Sequence, residues 1–346
     1  MAKLKDEKEK GYVYRDVSER QGILGASQWG GALGLSTYQT PHRIWEDYFL
    51  GKEREISEEM QERFDMGHFM EKVQKEYFSS KWNIKIKNDP KRKGLEKMYL
   101  SKRDSRLGCH PDGLVFYDKH SFDRDNYKTW LEAMGLGDLV EKEKATIGVE
   151  CKNRDAFAYD KWGTPFSDEI PYDYLMQCYG YFECCNCDAV LLLCFSNNKQ
   201  IVYVVRRVQE TLDGIVAQLS DWLDRVDKGW EPEAITYSES VELNIGARDG
   251  EVEADEDWNR LYDEWSNLKA EKKNIEDKMD AVKMQVVKSI GSNSVVFYRD
   301  SKGKKKKMFS YKQSERRTLD KDRLFEEHPE INADDYMKVT TFMELR

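Results

Sequence analysis

Two stretches decide the fold: residues 108–115 read Gly108-Cys109-His110-Pro111-Asp112-Gly113-Leu114-Val115, and residues 147–152 read Ile147-Gly148-Val149-Glu150-Cys151-Lys152. Proline and glycine bend a strand or open its edge, so Asp112 is expected at a kink. Side chains alternate between the two faces of a strand, so Glu150 and Lys152 are expected on one face. The two stretches therefore predict an aspartate, a glutamate and a lysine that meet at one bend of a sheet.

These three side chains are the ones that metal-dependent cleavage of a phosphodiester needs. Two carboxylates bind Mg²⁺ or Mn²⁺, because hard cations prefer oxygen ligands. An ion held there lowers the pKa of its bound water and offsets the charge that builds on the phosphate. A lysine beside it orients or activates that water. The alternative is a Glu-x-Lys pair on a solvated strand end with Pro-Asp-Gly as an ordinary turn, and the residues alone leave both open.

Four motifs in one order resemble a known family. The signature of the PD-(D/E)XK nucleases is similar to Pro111-Asp112 followed by Glu150-Cys151-Lys152. The N-terminal segment of the YqaJ-like viral recombinases, the phage lambda-type exonucleases, is similar to Ile23-Leu24-Gly25-Ala26-Ser27, Ala32-Leu33-Gly34-Leu35-Ser36-Thr37-Tyr38-Gln39-Thr40-Pro41 and Trp45. That family's helix with a further active-site glutamate resembles Gly67-His68-Phe69-Met70-Glu71, and the Gln-x-x-x-Tyr element of RecB-like nucleases resembles Gln177-Cys178-Tyr179-Gly180-Tyr181. The resemblance covers about residues 20–230.

The resemblance implies an α/β (α+β) fold. This is a PD-(D/E)XK nuclease core, in which a mixed central β-sheet is flanked by helices, and here a C-terminal helix and β-hairpin follow it. The cofactor that the resemblance implies is Mg²⁺, for which Mn²⁺ can substitute. One departure from the family's pattern is the length of the segment between Asp112 and Glu150, where we place an insertion at residues 118–145.

The resemblance also implies roles for particular residues. The metal ligands that it implies are Asp112, Glu150, Glu71 and the backbone carbonyl of Cys151. Lys152 would position the attacking water, and Gln177 would support it. Further support is expected from Tyr181, one helical turn after Gln177, and from His110, two residues before Asp112.

A long helix is predicted over residues 57–79. Ser57 is followed by acidic residues, which is typical of a helix N-terminus. Glu71 would reach the metal pocket from this helix, beside the sheet. The alternative is a surface Glu71 that pairs with Lys75 one turn later.

By resemblance, the activity would be that of a processive 5′-to-3′ exonuclease on double-stranded DNA ends, which leaves a 3′ single strand. Arg20 and Ser27 would bind the terminal 5′-phosphate, and the alternative for Ser27 is a simple helix N-cap. The 3′ strand would pass to a single-strand annealing protein for phage-type recombination. A trimeric or tetrameric homo-oligomeric ring would explain processivity. Other candidates are an endonuclease or end-processing nuclease of the same superfamily, or a non-catalytic DNA-binding or assembly protein on a nuclease scaffold.

Length, composition and net charge limit the possible domain organisation and function of the chain. The chain has 346 residues, of which 39% are hydrophobic, enough for one large domain and an appendage. A net charge of −9 argues against a protein that coats nucleic acid in general. It does not exclude a nuclease, whose basic residues need only line the path of the strand. No apolar run is long enough to predict a membrane span, and the charged N-terminus predicts no signal peptide.

Cysteine usage points to a reducing compartment. Seven cysteines, an odd number without secretory features, predict reduced thiols in a bacterial or phage-infected cytoplasm. Cys184 and Cys187 have the spacing of one C-x-x-C pair, and the chain holds no second such pair. Because these cysteines stand at the end of a predicted helix, before a buried strand, buried thiols are favoured there over a zinc or iron–sulfur site.

The chain is expected to divide into four parts: a mobile N-terminal arm (1–19), an exonuclease domain (20–235), an acidic linker (236–257) and an appendage (258–346). The appendage begins with apolar residues that recur at spacings of three and four, with Lys272 in one expected apolar position: Trp258, Leu261, Trp265, Leu268, Ile275, Met279, Val282 and Val286. This heptad-like stripe predicts a long helix that needs a partner.

Overall fold

The chain forms two units in this computed structural model, Met1–Leu243 and Asn244–Arg346. The structure describes residues 11–15, 22–36, 38–52, 56–88, 95–154, 162–243, 251–313, 315, 321–328 and 332. The first unit contains, in chain order, β1 (Tyr12–Arg15), β2 (Leu24–Gly25), α1 (Ala26–Ala32), α2 (Pro41–Trp45) with a π-helical turn (Glu46–Leu50), α3 (Glu58–Trp82), β3 (Glu96–Leu100), β4 (Leu107–Cys109), β5 (Gly113–Asp118), α4 (Arg124–Ala133), a 3-10 turn (Gly137–Glu141), β6 (Lys144–Asn153), α5 (Tyr172–Cys184), β7 (Ala189–Ser196), β8 (Lys199–Arg206), α6 (Gln209–Asp227) and α7 (Tyr237–Leu243).

The strands of this unit that the structure describes form two four-stranded sheets. The larger has the order β5-β6-β7-β8, in which β6 and β7 run parallel and the outer pairs antiparallel. The smaller has the order β1-β3-β4-β2, with β2 parallel to β4. The predicted mixed sheet flanked by helices is therefore confirmed.

The kink expected at Pro111-Asp112 is where the chain changes sheets. We predict one strand over residues 107–117, but the structure contains two: β4 belongs to the smaller sheet and β5 to the larger. Proline has no N–H to donate to a ladder, and glycine next to it allows a bend, so the strand breaks at these residues. Asp112 consequently lies at the junction of both sheets.

Helices cover both faces of the larger sheet. Alternate residues of β7 point to opposite sides, so Leu192 packs in the cluster that contains α5 and α6, and Leu191 packs in the cluster that contains α4. The insertion at 118–145 supplies Trp130 and Leu131 to the second cluster, against Phe78 of α3. It is therefore part of the core of the first unit.

Local signals explain where the elements that carry the site begin and end. Ser57 accepts a hydrogen bond from the Met60 N–H at the start of α3, and Asn83 ends that helix with φ of 50°. The β7–β8 hairpin turns through Asn197 and Asn198, whose φ angles of 50° and 57° suit a type I′ turn.

The ends of the first unit differ from the sequence expectation. Tyr12–Arg15, which we expected in a mobile arm, forms β1 and pairs with β3. The first part of the expected acidic linker forms α7. This helix is tied to α2 by an ion pair of 2.9 Å between Arg43 and Glu242 and by a hydrogen bond from Thr40 to Glu239.

The second unit contains the long helix α8 (Glu256–Ile290), the hairpin of β9 (Val295–Arg299) and β10 (Lys305–Ser310), and α9 (Lys321–Glu327). The predicted long helix and hairpin are thus present. Among the residues that the structure describes, no helix is long and apolar enough to cross a membrane.

Candidate active site

Asp112 bridges the strand break to β6. Its Oδ2 accepts a hydrogen bond of 2.7 Å from the backbone N–H of Cys151. The antiparallel register pairs Gly113 with Val149, which brings Asp112 alongside the Glu150–Lys152 segment. A residue distant in sequence is therefore fixed beside the Glu-x-Lys motif by ordinary strand pairing.

Glu150 and Lys152 lie on one face of β6, as their spacing predicts. The Lys152 ammonium is 2.6 Å from Glu150 Oε1, and the glutamate is only 2% exposed. The other carboxylate oxygen, Oε2, accepts a hydrogen bond from the Tyr181 hydroxyl of α5. Both oxygens of this buried carboxylate therefore have partners, as burial of a charge requires.

Glu71 reaches the same region from α3. Its Oε1 is 2.6 Å from the ammonium of Lys75, which also donates to the Asp112 backbone carbonyl at 2.7 Å and to Asn88 Oδ1 at 3.1 Å. The Glu71–Lys75 pair that we considered on the surface does form, but Lys75 is mostly buried. Sequence reasoning missed Lys75 as part of the site, and its i, i+4 spacing from Glu71 was the available signal.

The electrostatics of the site follow from this crowding. Burial and the neighbouring carboxylates of Glu150 and Glu71 raise the pKa of Asp112 well above its usual range, although Lys152 and the Cys151 N–H act in the opposite direction. Burial alone would lower the pKa of Lys152, but the charges of Glu150 and Asp112 outweigh it and raise that pKa. The site thus gathers negative charge and holds its lysine protonated.

These donors match a hard divalent cation in kind, since they are carboxylate and carbonyl oxygens. In the part of the chain that the structure describes, however, no three or more His, Cys, Asp or Glu side chains are already grouped as a metal site. Instead Lys152 bonds Glu150, and Lys75 bonds Glu71. An arriving cation would compete with these two ammonium groups for the same oxygens.

The remaining residues of the expected site, Gln177 and His110, lie on α5 and at the strand break. Gln177 is half-buried on α5, between Tyr174, whose ring centroid is 4.9 Å from the Lys152 ammonium, and Tyr181. One helical turn separates these positions, so Gln177 lies on the face of α5 that meets β6. His110 instead bonds β3 through both ring nitrogens, to the Lys97 carbonyl at 2.8 Å and to Glu96 at 2.6 Å.

Of the two residues expected to bind a 5′-phosphate, Ser27 and Arg20, the structure describes only Ser27. Ser27 is exposed in the first turn of α1, but the N-cap is Gly25, whose N–H donates to the Gln28 side chain at 3.1 Å. The alternative of Ser27 as the N-cap is therefore wrong. Arg20 lies outside the described residues.

The cysteines form a thiol cluster beside β4. Cys109 Sγ is 3.4 Å from Cys185 Sγ, and Cys184 Sγ is 3.9 Å from the Leu107 carbonyl. Burial raises the pKa of Cys184, and raises that of Cys109 together with its contacts to Cys184 and Cys185. Cys109 and Cys184 are thus held as neutral thiols.

Comparisons with known proteins give one family. The model of the YqaJ-like viral recombinase domain matches residues 17–188, a span that contains every residue of the expected site. No curated protein matches the sequence.

Some solved structures are similar at low identity. They include an alkaline exonuclease (LHK-Exo) from Laribacter hongkongensis, at 12% identity over 60% of this chain and 90% of that one, with a TM-score of 0.40. Its complex with dAMP has the same identity and TM-score, over 61% and 91%. A protein described as SSO0001 has 8% identity over 64% and 82%, with a TM-score of 0.32.

Proposed function

Residues 17–188 belong to the family of YqaJ-like viral recombinase domains, and on that premise we propose that the chain is a metal-dependent DNA nuclease of the lambda-exonuclease type. The observation that carries the proposal is that Asp112, at the junction of two sheets, lies within electrostatic reach of Glu150 and Glu71 and beside the Glu150–Lys152 ion pair. Burial and the charges of Glu150 and Glu71 raise the pKa of Asp112, and a divalent cation would relieve that repulsion.

The resident metal in this proposal is Mg²⁺, with Mn²⁺ as a substitute. The ligands would be the carboxylates of Asp112, Glu150 and Glu71 and the backbone carbonyl of Cys151. The bound ion supplies a water of lowered pKa and neutralises charge on the phosphate.

The protein's own groups prepare the site. The charges of Glu150 and Asp112 raise the pKa of Lys152, and its ammonium would position the attacking water or a phosphate oxygen by donating hydrogen bonds. The Tyr181 hydroxyl fixes Glu150 in its rotamer through a hydrogen bond. Gln177, on the same face of α5, supports the water through its amide.

We place the substrate among double-stranded DNA ends, with digestion from 5′ to 3′. The support is family membership and the exposed hydroxyl of Ser27 in the first turn of α1. Arg20 would complete the pocket for the terminal phosphate. Transfer of the 3′ strand to an annealing protein, processivity and a homo-oligomeric ring belong to the same proposal and rest on family membership alone.

The proposal is tested by digestion of a 5′-phosphorylated linear duplex and a closed circular duplex with Mg²⁺. We expect mononucleotides and a 3′ single strand from the linear DNA, and intact circles. Asp112→Asn and Lys152→Met should each slow digestion at least about a hundredfold, whereas Lys144→Met, at the exposed start of β6, should not.

Two outcomes would change the assignment. Cleavage of the closed circle would identify an endonuclease of the same superfamily. Equal activity of Asp112→Asn, Lys152→Met and the parent chain would remove the basis of the nuclease proposal, and no digestion by the parent at all would favour a non-catalytic DNA-binding role.

A further inference from the structure

Helix α8 presents an exposed apolar stripe along its whole length. The helix has 35 residues, and at 1.5 Å per residue it is about 52 Å long. All of its residues are described, and only Ile290 is buried. Large apolar side chains in its middle remain open to solvent, including Ile275 at 55% and Val282 at 57%. Exposed apolar surface of this extent marks an interaction site.

The spacing of the stripe identifies what covers it. Its positions alternate strictly by three and four residues, a period of 3.5 that matches the a and d positions of a coiled coil: Trp258, Leu261, Trp265, Leu268, Lys272, Ile275, Met279, Val282 and Val286. The remaining outer positions are mostly polar, for example Asp263, Asn267 and Asp277. The fitting partner is therefore another helix with the same heptad pattern.

The charges beside the stripe select the partner and its direction. We propose that α8 pairs with α8 of a second copy of this chain, antiparallel and along its whole length. In that arrangement e positions face e positions and g positions face g positions. Lys269 then lies opposite Glu276 of the second copy, and Glu271 lies opposite Lys278. Each attraction occurs twice because the pair is symmetric.

A parallel pair of the same helices is disfavoured. There, each g position faces the e position five residues further along the partner. Glu271 would lie opposite Glu276, and Lys278 opposite Lys283, so that two like-charge contacts would form for every attraction between Glu264 and Lys269. Like charges at these positions destabilise a coiled coil and set its orientation.

The antiparallel register is fixed by the same charges. A slide of one heptad in one direction places Lys269 opposite Lys269 of the second copy and Glu271 opposite Glu271, so that the attractions at e and g positions fall from four to the two between Glu264 and Lys278. A slide in the other direction places Lys278 opposite Lys278 and Glu276 opposite Glu276. The register that satisfies the charges also overlaps the two helices from end to end, with Leu261 opposite Val286.

Glu271 and Lys278 are well suited to report this pairing. Neither forms an ion pair with any residue that the structure describes, and the residues three and four positions away from each are uncharged. A change of their charge therefore leaves the isolated helix almost unaffected. Its effect is confined to the contact with a partner.

Cross-linking of the full-length chain tests the direction of the pair. Since Leu261 faces Val286 of the second copy, the double variant L261C/V286C should form a covalent dimer on oxidation. The single variants L261C and V286C should stay monomeric on a denaturing gel, as should the parent with its own cysteines. Association through the first unit does not create this cross-link.

Efficient cross-linking of either single variant would show a parallel pair. Absence of the covalent dimer from a folded, helical double variant would show that α8 does not pair with a second copy. Both results overturn the proposal.

Charge reversals added to the L261C/V286C variant test the register. E271K replaces two attractions with two repulsions, so about tenfold more chain should be needed for half-maximal cross-linking. E271K/K278E should restore the concentration that L261C/V286C alone needs for half-maximal cross-linking, because the exchanged charges attract again. D277K, on the outer face of the helix, is the control and should leave the concentration for half-maximal cross-linking unchanged. Stronger cross-linking by E271K, or failure of the double exchange to restore it, contradicts the proposed register.

Discussion

Lys75 joins three parts of the chain at the candidate site. Its ammonium bonds Glu71 on α3, the Asp112 carbonyl at the strand break and the side chain of Asn88. Lys75→Met would leave a carboxylate and a carbonyl without their donor, which costs about 1–3 kcal/mol of folding stability. Because such supporting contacts orient metal ligands, digestion should also slow by about tenfold to a hundredfold.

The matched control for Lys75→Met is Lys72→Met, an exposed lysine of the same helix. Thermal unfolding and the rate of digestion are measured for both. If Lys75→Met unfolds and digests like Lys72→Met, the ammonium of Lys75 neither orients Glu71 nor stabilises the junction.

Single residues of the site were predictable where local geometry fixes them. The spacing of Glu150 and Lys152 determines that they share a face of β6, and the Pro-Asp-Gly sequence places Asp112 at a bend. The environment of Lys75 was not predictable, because a glutamate and a lysine four residues apart look the same on a surface and in a junction. Only the docking of α3 against the larger sheet distinguishes the two cases.

Strand β6 is held close to α5 by a glycine. A Cβ on Gly148 would lie 2.7 Å from Tyr181 Cδ2 and 3.2 Å from Val190 Cγ2. Gly148→Ala should therefore push the Tyr181 ring away from Glu150, lower the free energy of unfolding by about 1–3 kcal/mol and slow digestion.

Gly214 in α6 provides the opposite case. Apart from its chain neighbours and the backbone of its own helix, nothing lies within 4 Å of a Cβ placed at Gly214, and alanine is a better helix former than glycine by about 1 kcal/mol. Gly214→Ala should stabilise the chain, while Gly148→Ala destabilises it, as measured by chemical unfolding. The same sign for both substitutions would mean that the contact between β6 and α5 does not constrain Gly148.

Elements were predictable where capping and turn residues mark them, and less so where pairing is non-local. Ser57 predicts the start of α3, and Ser196-Asn197-Asn198-Lys199 predicts the hairpin of β7 and β8. The split of residues 107–118 between two sheets was not predictable, since the choice of partner strand depends on distant residues. The same holds for β1, whose partner β3 is some eighty residues later.

Arg106, the residue before β4, ties helix α6 to the smaller sheet. The Arg106 guanidinium bonds Asp104 and, on α6, Asp224 and Asp227, each at 2.7 Å. Burial alone would raise the pKa of Asp104, but hydrogen bonds from Arg106 outweigh it and hold that pKa below its ordinary range.

A lowered pKa in the folded state stabilises the fold above the unfolded pKa, and the stabilisation is lost as the pH falls through the folded value. Asp104→Asn should therefore cost about 1 kcal/mol of unfolding free energy at pH 7, and the difference from the parent should shrink towards pH 3. Urea unfolding at both pH values measures this, with Asp221→Asn, an exposed aspartate of α6, as the control. A difference that grows in acid would contradict the assigned ion pairs.

At the scale of the molecule, the chain length predicts one large domain with an appendage, but the end of the first unit at Leu243 was not predictable. Residues 237–243 read as part of an acidic linker, yet α7 forms there because α2 supplies Arg43 and Thr40 as partners. The long helix of the second unit was predictable from its heptads, since a period of 3.5 is a local property. The identity of its partner depends on charges outside the stripe.

The central claim is that Asp112, Glu150 and Glu71 together hold a divalent cation. Titration of the full-length chain with Mn²⁺, followed by electron paramagnetic resonance, measures this without DNA or turnover. We predict saturable binding that Mg²⁺ displaces, and an affinity at least about tenfold weaker in Asp112→Asn and Glu150→Gln but unchanged in Asp118→Asn. Equal Mn²⁺ affinity in the parent chain and in the Asp112 and Glu150 variants would contradict the account.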